Sequence, residues 1–417
     1  MPELIASHLS QMARELDARD PLAGFRDRFQ IREGLIYLDG NSLGCMPKAT
    51  PDRMADTLAR EWGEGLISSW LDADWATAPQ RVGDKIARLI GANPGEVIAA
   101  DSTSVNLFKA LTAALSLRPD RSTILTETTN FPTDSYMMQG IEQFSGGRIK
   151  ARALAPHDVL DAVDENTAAV LLTHVHYKTA NARDLAETTR RIQSAGALVI
   201  WDLSHSTGAL DIDLDGANAD FAVGCGYKFL NGGPGAPAFI YVAKRNQSAS
   251  PVLSGWFGHA KPFAFEEDYR PADGVDRFLC GTPYVLGLAS LEVGVDLMLE
   301  AEMSLIRAKS VALSELLIDA MKPLCAKYGF ALSSPIDPDH RGSHVGYSHE
   351  QAYAIVQALR EEEDVIADFR TPDTIRFGIT PLTLKHVDIV DAVKRLEKVC
   401  AAKSWDKPAY RTLSAVT

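Results

Sequence analysis

Cysteine is scarce in this chain: Cys45, Cys225, Cys280, Cys325 and Cys400 are five in number and widely spread among 417 residues, with no C-x-x-C pair. An odd, dispersed set excludes a disulfide framework and the usual zinc spacing, and fits reduced thiols in a cytoplasmic protein. Positive charge is also short. Lys and Arg number 42 against 55 Asp and Glu, a formal net charge of -13, with a sequence pI near 5.3. Nucleic acid and anionic membrane surfaces need basic patches, so a small-molecule substrate is the expected partner. No apolar run is long enough to span a bilayer. The first twenty residues interleave charges with apolar side chains at helical spacing, which predicts a helix over about Pro2 to Ala18 rather than a secretory leader. There is no internal repeat and no low-complexity tract. Residues 51–90 read as helical, with Trp62, Trp70 and Trp75 serving mostly as packing, a long helix is predicted over about 302–322, and 403–417 read as a frayed tail. A Walker loop is excluded too, since Lys228 precedes Gly232-Gly-Pro-Gly and no G-K-[ST] follows. The length allows two domains around substantial cores.

The chain does contain a stretch, residues 198–242, in which two buried-strand patterns deliver reactive groups to neighbouring places. Leu198 to Trp201 is an apolar run of the kind buried on both faces, and Asp202 ends it where the chain turns polar. Phe221 to Cys225 repeats the pattern, and Tyr227-Lys228 follows at a second strand end. An acid and an amine at adjacent strand ends are what pyridoxal phosphate requires: a lysine to condense with its aldehyde, and an anion to keep the pyridine nitrogen protonated. A capping Asp and a solvated Lys are the plainer alternative for a lone pair. Here His205 lies three residues after the acid, a tyrosine precedes the lysine, and Asn231-Gly-Gly-Pro-Gly follows it. Together these resemble the class V aminotransferase group of fold type I pyridoxal phosphate enzymes.

Other stretches point to the same end of the molecule. Asp101-Ser-Thr-Ser precedes an apolar series at Val105, Phe108, Leu111 and Leu115, which predicts a capped helix N-terminus. Its free amides, with the Thr103 and Ser104 hydroxyls, suit a phosphate; an ordinary cap with no ligand is the alternative. Phe131, stiffened by Pro132, offers a platform for stacking on a ring, or a plug for the core. Ala168 to Thr173 is a buried strand ending in T-H-V-H-Y-K. His174 and His176 alternate as metal ligands could, but no third ligand is evident, so no metal is expected. Strands alternating with helices such as 183–195 imply a mostly parallel sheet, whose ligands bind at the strands' carboxyl ends. Farther on, Arg376 is the one charge within an apolar strand, T-I-R-F-G-I. A planar guanidinium there suits a carboxylate, or else faces solvent from an edge.

Five motifs resemble the kynureninase family across nearly the whole chain: G-N-S-L-G at 40–44, F-P-T-D at 131–134, D-x-x-H at 202–205, Y-K at 227–228 and G-W-F-G-H at 255–259. The resemblance implies an α/β, fold type I aminotransferase-like architecture. A large domain with a mostly parallel sheet flanked by helices would be joined by a smaller α/β C-terminal domain. We place an N-terminal segment with an active-site loop at 1–50, the cofactor domain at 51–290 and the small domain at 291–417. It also implies a cytoplasmic hydrolase that cleaves L-kynurenine to anthranilate and L-alanine, and 3-hydroxykynurenine to 3-hydroxyanthranilate. The pathway is tryptophan catabolism, toward degradation or toward NAD biosynthesis. Lys228, Asp202 and Tyr227 would be catalytic, with Tyr227 either moving a proton near the γ-carbonyl or only holding the phosphate. Phe131, Asp134, Thr173, His205 and Trp256 would join Thr103 and Ser104 around pyridoxal phosphate. Thr282 would reach it from the second subunit of a homodimer with shared active sites, and Asn41, Ser42 and Arg376 would hold the substrate. Eukaryotic members place a histidine in the region of Gly65 against the substrate ring, and this chain has none there.

Two rivals share the scaffold. A cysteine desulfurase or selenocysteine lyase needs an activated cysteine on an exposed loop, yet Cys325 and Cys400 sit in helical patterns, Cys225 in a strand and Cys45 in a loop. A catalytically silent cofactor-binding regulatory domain would accompany a basic DNA-binding segment, and there is none.

Overall fold

The computed structural model describes residues 2–412. Its first elements are α1 (Pro2–Asp17), β1 (Ile36–Tyr37), α2 (Thr50–Asp56), α3 (Ser69–Asp72) and α4 (Ala78–Leu89). Next come β2 (Val97–Ala99), α5 (Thr103–Leu117), β3 (Thr123–Glu127), α6 (Pro132–Phe144), β4 (Lys150–Leu154) and β5 (Thr167–Thr173). They are followed by α7 (Leu185–Ser194), β6 (Leu198–Asp202), β7 (Phe221–Gly224) and β8 (Phe239–Val242). The last third holds α8 (Val285–Leu299), α9 (Met303–Tyr328), β9 (Ala331–Leu332) and β10 (His344–Ser348). After these come α10 (Ala352–Glu363), β11 (Val365–Ile366), β12 (Asp368–Arg370), β13 (Thr374–Gly378) and α11 (His386–Ala402).

β2 to β8 form one sheet in the order β2-β8-β7-β6-β5-β3-β4. Neighbours from β4 to β7 are parallel, and β8 runs antiparallel to both of its neighbours. The central strands β5, β6 and β7 are buried at every position because both faces are covered, and are apolar except at Thr167, Thr173 and Asp202. Leu172, Val199 and Trp201 pack with α4, α7 and α8 on one face, while Leu171 and Ile200 pack with α5 and α6 on the other. Register then decides where the chemistry lies. Thr173 pairs with Asp202 and Asp202 with Val223, so β5, β6 and β7 end level and Lys228 follows just beyond.

The last third builds a four-stranded antiparallel sheet, β12-β13-β10-β9. In it Arg376 stands opposite Asp368 and His344 opposite Gly378. The N-terminal segment belongs to this end of the molecule: Ile36 pairs with Val365 in parallel, and Ala13, Ile36 and Leu38 share a core with Leu313, Leu317, Val345, Ile375 and Leu396. α9 links the two halves, starting in the large core at Ile306 and entering the other from Leu313 onward.

Three local expectations change. Residues 51–90 are not continuously helical but break into α2, a π-helical run at Thr57–Glu64, 3-10 turns, α3 and α4. Where a stop near residue 322 is expected, α9 runs through Pro323 to Tyr328 and closes on Gly329 at φ 83°. The frayed tail expected from 403 is ordered as far as 412. Trp405 and Tyr410 pack on the C-terminal core and Lys407 pairs with Glu362 at 2.5 Å. Residues 413–417 lie outside the described residues.

Candidate active site

At the carboxyl edge of the large sheet lies a cavity of about 450 Å³, lined by Thr103, Ser104, Phe131, Asp134, Thr173, Asp202, His205, Tyr227 and Lys228. Nine residues expected from the sequence thus share one wall. They arrive from five loops after strands or helix starts, as a parallel sheet with level strand ends requires.

The acids sit at the bottom. Asp134 lies in the first turn of α6, whose N-cap is Phe131. It is 1% exposed and neither carboxyl oxygen has a partner among the described residues. Burial, with Asp202 beside it, pushes its carboxyl well above the usual range. Asp202 accepts from the Ser204 amide at 2.8 Å, an Asx turn that fixes the carboxylate as the strand ends. Thr173 supports that end from below, its hydroxyl donating to Val175 O at 3.1 Å. Two buried carboxyls face one cavity and neither forms an ion pair among the described residues, so a protonated pyridine ring suits the place. At the other end, Ser102 caps α5 by accepting from the Val105 amide, so the first amides of the helix and the hydroxyls of Thr103 and Ser104 face the cavity. Carboxyls, a helix start suited to an anion and an amine lining one cavity fit pyridoxal phosphate. Phe131, at the wall, meets Tyr177 edge-on at 5.3 Å.

Lys228 Nζ lies 2.9 Å from His205 Nε2. Burial, then the positive charge of Lys228, holds His205 neutral, far below the ordinary imidazole value. Burial likewise raises the Tyr227 phenol, so it remains protonated at neutral pH. The loop that positions both is clamped from the N-terminal segment: Gly44 N donates to Tyr227 O at 2.8 Å, and a Cβ at Gly44 would come within 2.3 Å of Lys228 O.

Arg376, Asn41 and Ser42 gather next to this cavity rather than in its lining. The Arg376 guanidinium is 1% exposed and fully engaged. Its Nε donates to Asp368 Oδ1 at 2.9 Å and one Nη2 proton to Asp368 Oδ2, its Nη1 donates to Tyr177 O, and Nη2 reaches Ser42 Oγ at 2.7 Å. In the orientation its neighbours require, Asn41 Oδ1 accepts from Nε at 2.9 Å. A Cβ at residue 378 would strike this amide at 2.0 Å, which is why β13 carries Gly378 there. Burial raises Asp368, but Arg376 and then Arg370 outweigh it and hold the carboxylate down to about 2. Its neighbour Asp39 goes the other way, up to about 8, because it is buried and faces Asp368.

Trp256 and Thr282 stand apart from the cavity of their own chain. Trp256 packs edge-on to Phe257 at 4.6 Å and is 39% exposed, and Thr282 is exposed. Burial raises all five thiols, Cys400 to about 12, so none is an activated nucleophile. Sequence reading missed Tyr177, Tyr284, Asp368 and Arg370. Only Tyr177 had a signal, as the aromatic directly after the T-H-V-H strand end. Asp368 and Arg370 lie in a three-residue strand whose meaning depends on pairing with β13.

Residues 306–396 match the kynureninase C-terminal domain family. A kynureninase from Pseudomonas fluorescens is 44% identical over 408 residues, covering 96% of this chain and 98% of that protein. One from Burkholderia pseudomallei is 44% identical over 411 residues, covering 97% and 99%. Among solved structures, a cysteine desulfurase from Thermococcus onnurineus superposes with TM-score 0.76 at 16% identity, covering 91% of this chain and 98% of that one. A C-DES mutant with glycine covalently linked to its PLP cofactor gives 0.76 at 18% identity, covering 89% and 98%. At such identities the two structures share the fold.

Proposed function

Because the chain belongs to the kynureninase family of pyridoxal phosphate-dependent hydrolases, we propose roles for its residues in that reaction. The activity is the family's, hydrolysis of L-kynurenine in tryptophan catabolism, and the products are anthranilate and L-alanine. When bound, the cofactor supplies an electron sink that lets the bond between Cβ and Cγ of the substrate break. The chain supplies position and protons.

Lys228 Nζ would hold the cofactor's aldehyde carbon and, as a free amine, would accept the α-proton of the substrate. Asp202 and Asp134 hold the ring nitrogen's proton from below. Thr103, Ser104 and the α5 amides would take the phosphate, with the partner chain's copies of residues 256 and 282 closing over it. Thr173 and His205 set the acid and the amine. Phe131 stacks on the ring. Tyr227, protonated at neutral pH, donates at the γ-carbonyl oxygen; holding the phosphate is its second role. Arg376 takes the α-carboxylate, which displaces the Ser42 hydroxyl from Nη2 while Asn41 and Asp368 keep the fork in place. The ring-hydroxylated substrate is accepted at the same site.

The observation that supports this most is the level register of β5, β6 and β7, which sets Asp202 beside Lys228 in one cavity with Asp134. Completing the site requires a second copy. Leu58, Trp62, Leu66, Ile67 and Leu71 are exposed along one short stretch of chain, and Trp62 lines a depression with Tyr284 and Leu286, the kind of exposed apolar surface that subunit contact covers. We place the protein in the cytoplasm as a homodimer; among the described residues no helix is long and apolar enough to cross a membrane. The deciding experiment is anthranilate fluorescence on mixing cofactor-loaded protein with L-kynurenine. Lys228→Ala is expected to lose at least about 10²–10⁴-fold in rate. Alanine formed from L-cysteine, with the sulfur left as an enzyme persulfide that an added thiol reductant releases as sulfide, and without anthranilate, would turn the assignment to desulfurase chemistry.

A further inference from the structure

Two buried histidines stand behind Lys228. His205, in the turn leaving β6, is 5% exposed, and His344, the first residue of β10, is 0% exposed. Their ring centroids are 5.6 Å apart at an interplanar angle of 57°. His205 Nε2 meets Lys228 Nζ, but His205 Nδ1 and both nitrogens of His344 have no partner among the described residues. An unsatisfied polar atom in a protein interior is costly, and three in one place call for a common cause.

A neutral imidazole carries one N–H and one lone pair, so the direction of each bond can be worked out from the chemistry. Both rings are held neutral by burial, reinforced at His205 by Lys228 and at His344 by Arg376. To take a proton, Lys228 Nζ needs its lone pair turned toward the substrate. It must therefore donate one of its own hydrogens elsewhere, and His205 Nε2 is the atom in reach. That makes His205 the Nδ1–H tautomer, and Nδ1–H then needs an acceptor.

We propose that His344 is a positioning residue whose ring nitrogen accepts from His205 Nδ1–H, directly or through one water, and so fixes the tautomer that accepts from Lys228. The inference rests on Lys228 as the base of the hydrolysis. It gives a chain of donors running from Lys228 to His205 to His344. When Nζ gains the α-proton, that proton stays on Nζ and the two polarised rings stabilise the new ammonium. Arg376 on β13, Asp368 on β12 and His176 from the loop after β5 also face His344. Arg376 donates to Asp368, Tyr177 O and Ser42, and His176 Nε2 meets Thr129 O, which leaves His205 as the donor that His344 can serve.

The test begins with imidazole ¹⁵N–¹H correlations on the full-length, cofactor-free protein, a readout independent of turnover. His205 is expected as the Nδ1–H tautomer, and that signature should be lost in His344→Phe and retained in His344→Gln, whose amide oxygen still accepts. In the loaded enzyme, His344→Phe should lower kcat by about tenfold to a hundredfold with KM unchanged within about twofold, and His344→Gln should restore most of the loss. A His205 Nε2–H tautomer in the parent protein overturns the proposal. Equal losses in both variants with parental tautomer and melting temperature do so as well. If His344→Phe does not fold, the parent and His344→Gln spectra decide. If the parent fails to hydrolyse L-kynurenine while the tautomer is as expected, it is the reaction assignment that falls.

Discussion

Arg376 illustrates how a single side chain is tuned by its neighbours. Its fork is already satisfied by Asp368 and Ser42, so it is rigid before any carboxylate arrives. Arg376→Lys keeps the charge but loses the fork and leaves Asp368 under-paired. Losing one charge-assisted bond of about 1.5–3 kcal/mol predicts a KM for L-kynurenine raised roughly 10–100-fold, with kcat moving less. Steady-state kinetics would show it, and an unchanged KM would sink the carboxylate assignment. Asp39 makes a prediction about pH. Its carboxyl, normally near 3.8, is raised to about 8 in the fold, so the folded state holds a proton that the unfolded state releases. Its contribution to stability is complete below 3.8 and is lost as pH rises through about 8. Asp39→Asn stays neutral throughout, so its urea midpoint should gain on the parent's between about pH 4 and pH 8 and level off above that. A constant difference across that range would mean Asp39 is ionised in the fold. At this scale the sequence was partly legible. Asp202, His205 and Lys228 are close in the chain and flanked by periodic apolar runs. His344 and Asp368 open short strands in the last third, with no periodicity before them to show which way they face.

Among the elements, α5 presents its start to the cavity, and Ser102 performs the capping. Thr103 and Ser104 are therefore free to bind a ligand instead of stabilising the helix. Replacing both with alanine should leave the melting temperature close to the parent's while weakening pyridoxal phosphate binding about 5–50-fold, read by absorbance titration of the cofactor-free protein. A fall in stability with unchanged cofactor affinity would make them structural. The large sheet was legible because buried parallel strands read as continuous apolar runs, and β5, β6 and β7 fall where those runs do. β10 to β12 escaped because H-V-G-Y-S, V-I and D-F-R are too short to carry a period. Pro323 misled in the other direction, since α9 is buried along one side and tertiary packing outweighs the local helix-breaking tendency.

For the whole molecule, the sharpest expectation concerns the dimer. Lys228→Ala and a bulky replacement such as Thr282→Arg should each be inactive alone. If one active site takes residue 228 from one chain and residue 282 from the other, exchanging subunits between the two variants rebuilds an intact site. About a quarter of parental activity should return, measured by anthranilate fluorescence. A dimer that exchanges subunits and recovers nothing would mean each site is complete within one chain. The surface behind this expectation was not visible in the sequence, where Trp62, Trp70 and Trp75 read alike. Trp70 packs against Trp75 and Phe257, whereas Trp62 is 56% exposed. The pairing of β1 with β11 bears, finally, on how the chain is made. The loop bearing Asn41 and Ser42 leaves the ribosome long before β11 and Arg376 do. At about 5–20 residues per second, the opening segment waits on the order of tens of seconds for its partner strand. During synthesis the cofactor pocket can therefore assemble while the substrate-holding half is still missing, and the nascent enzyme gains its cofactor site before it can recognise an amino acid.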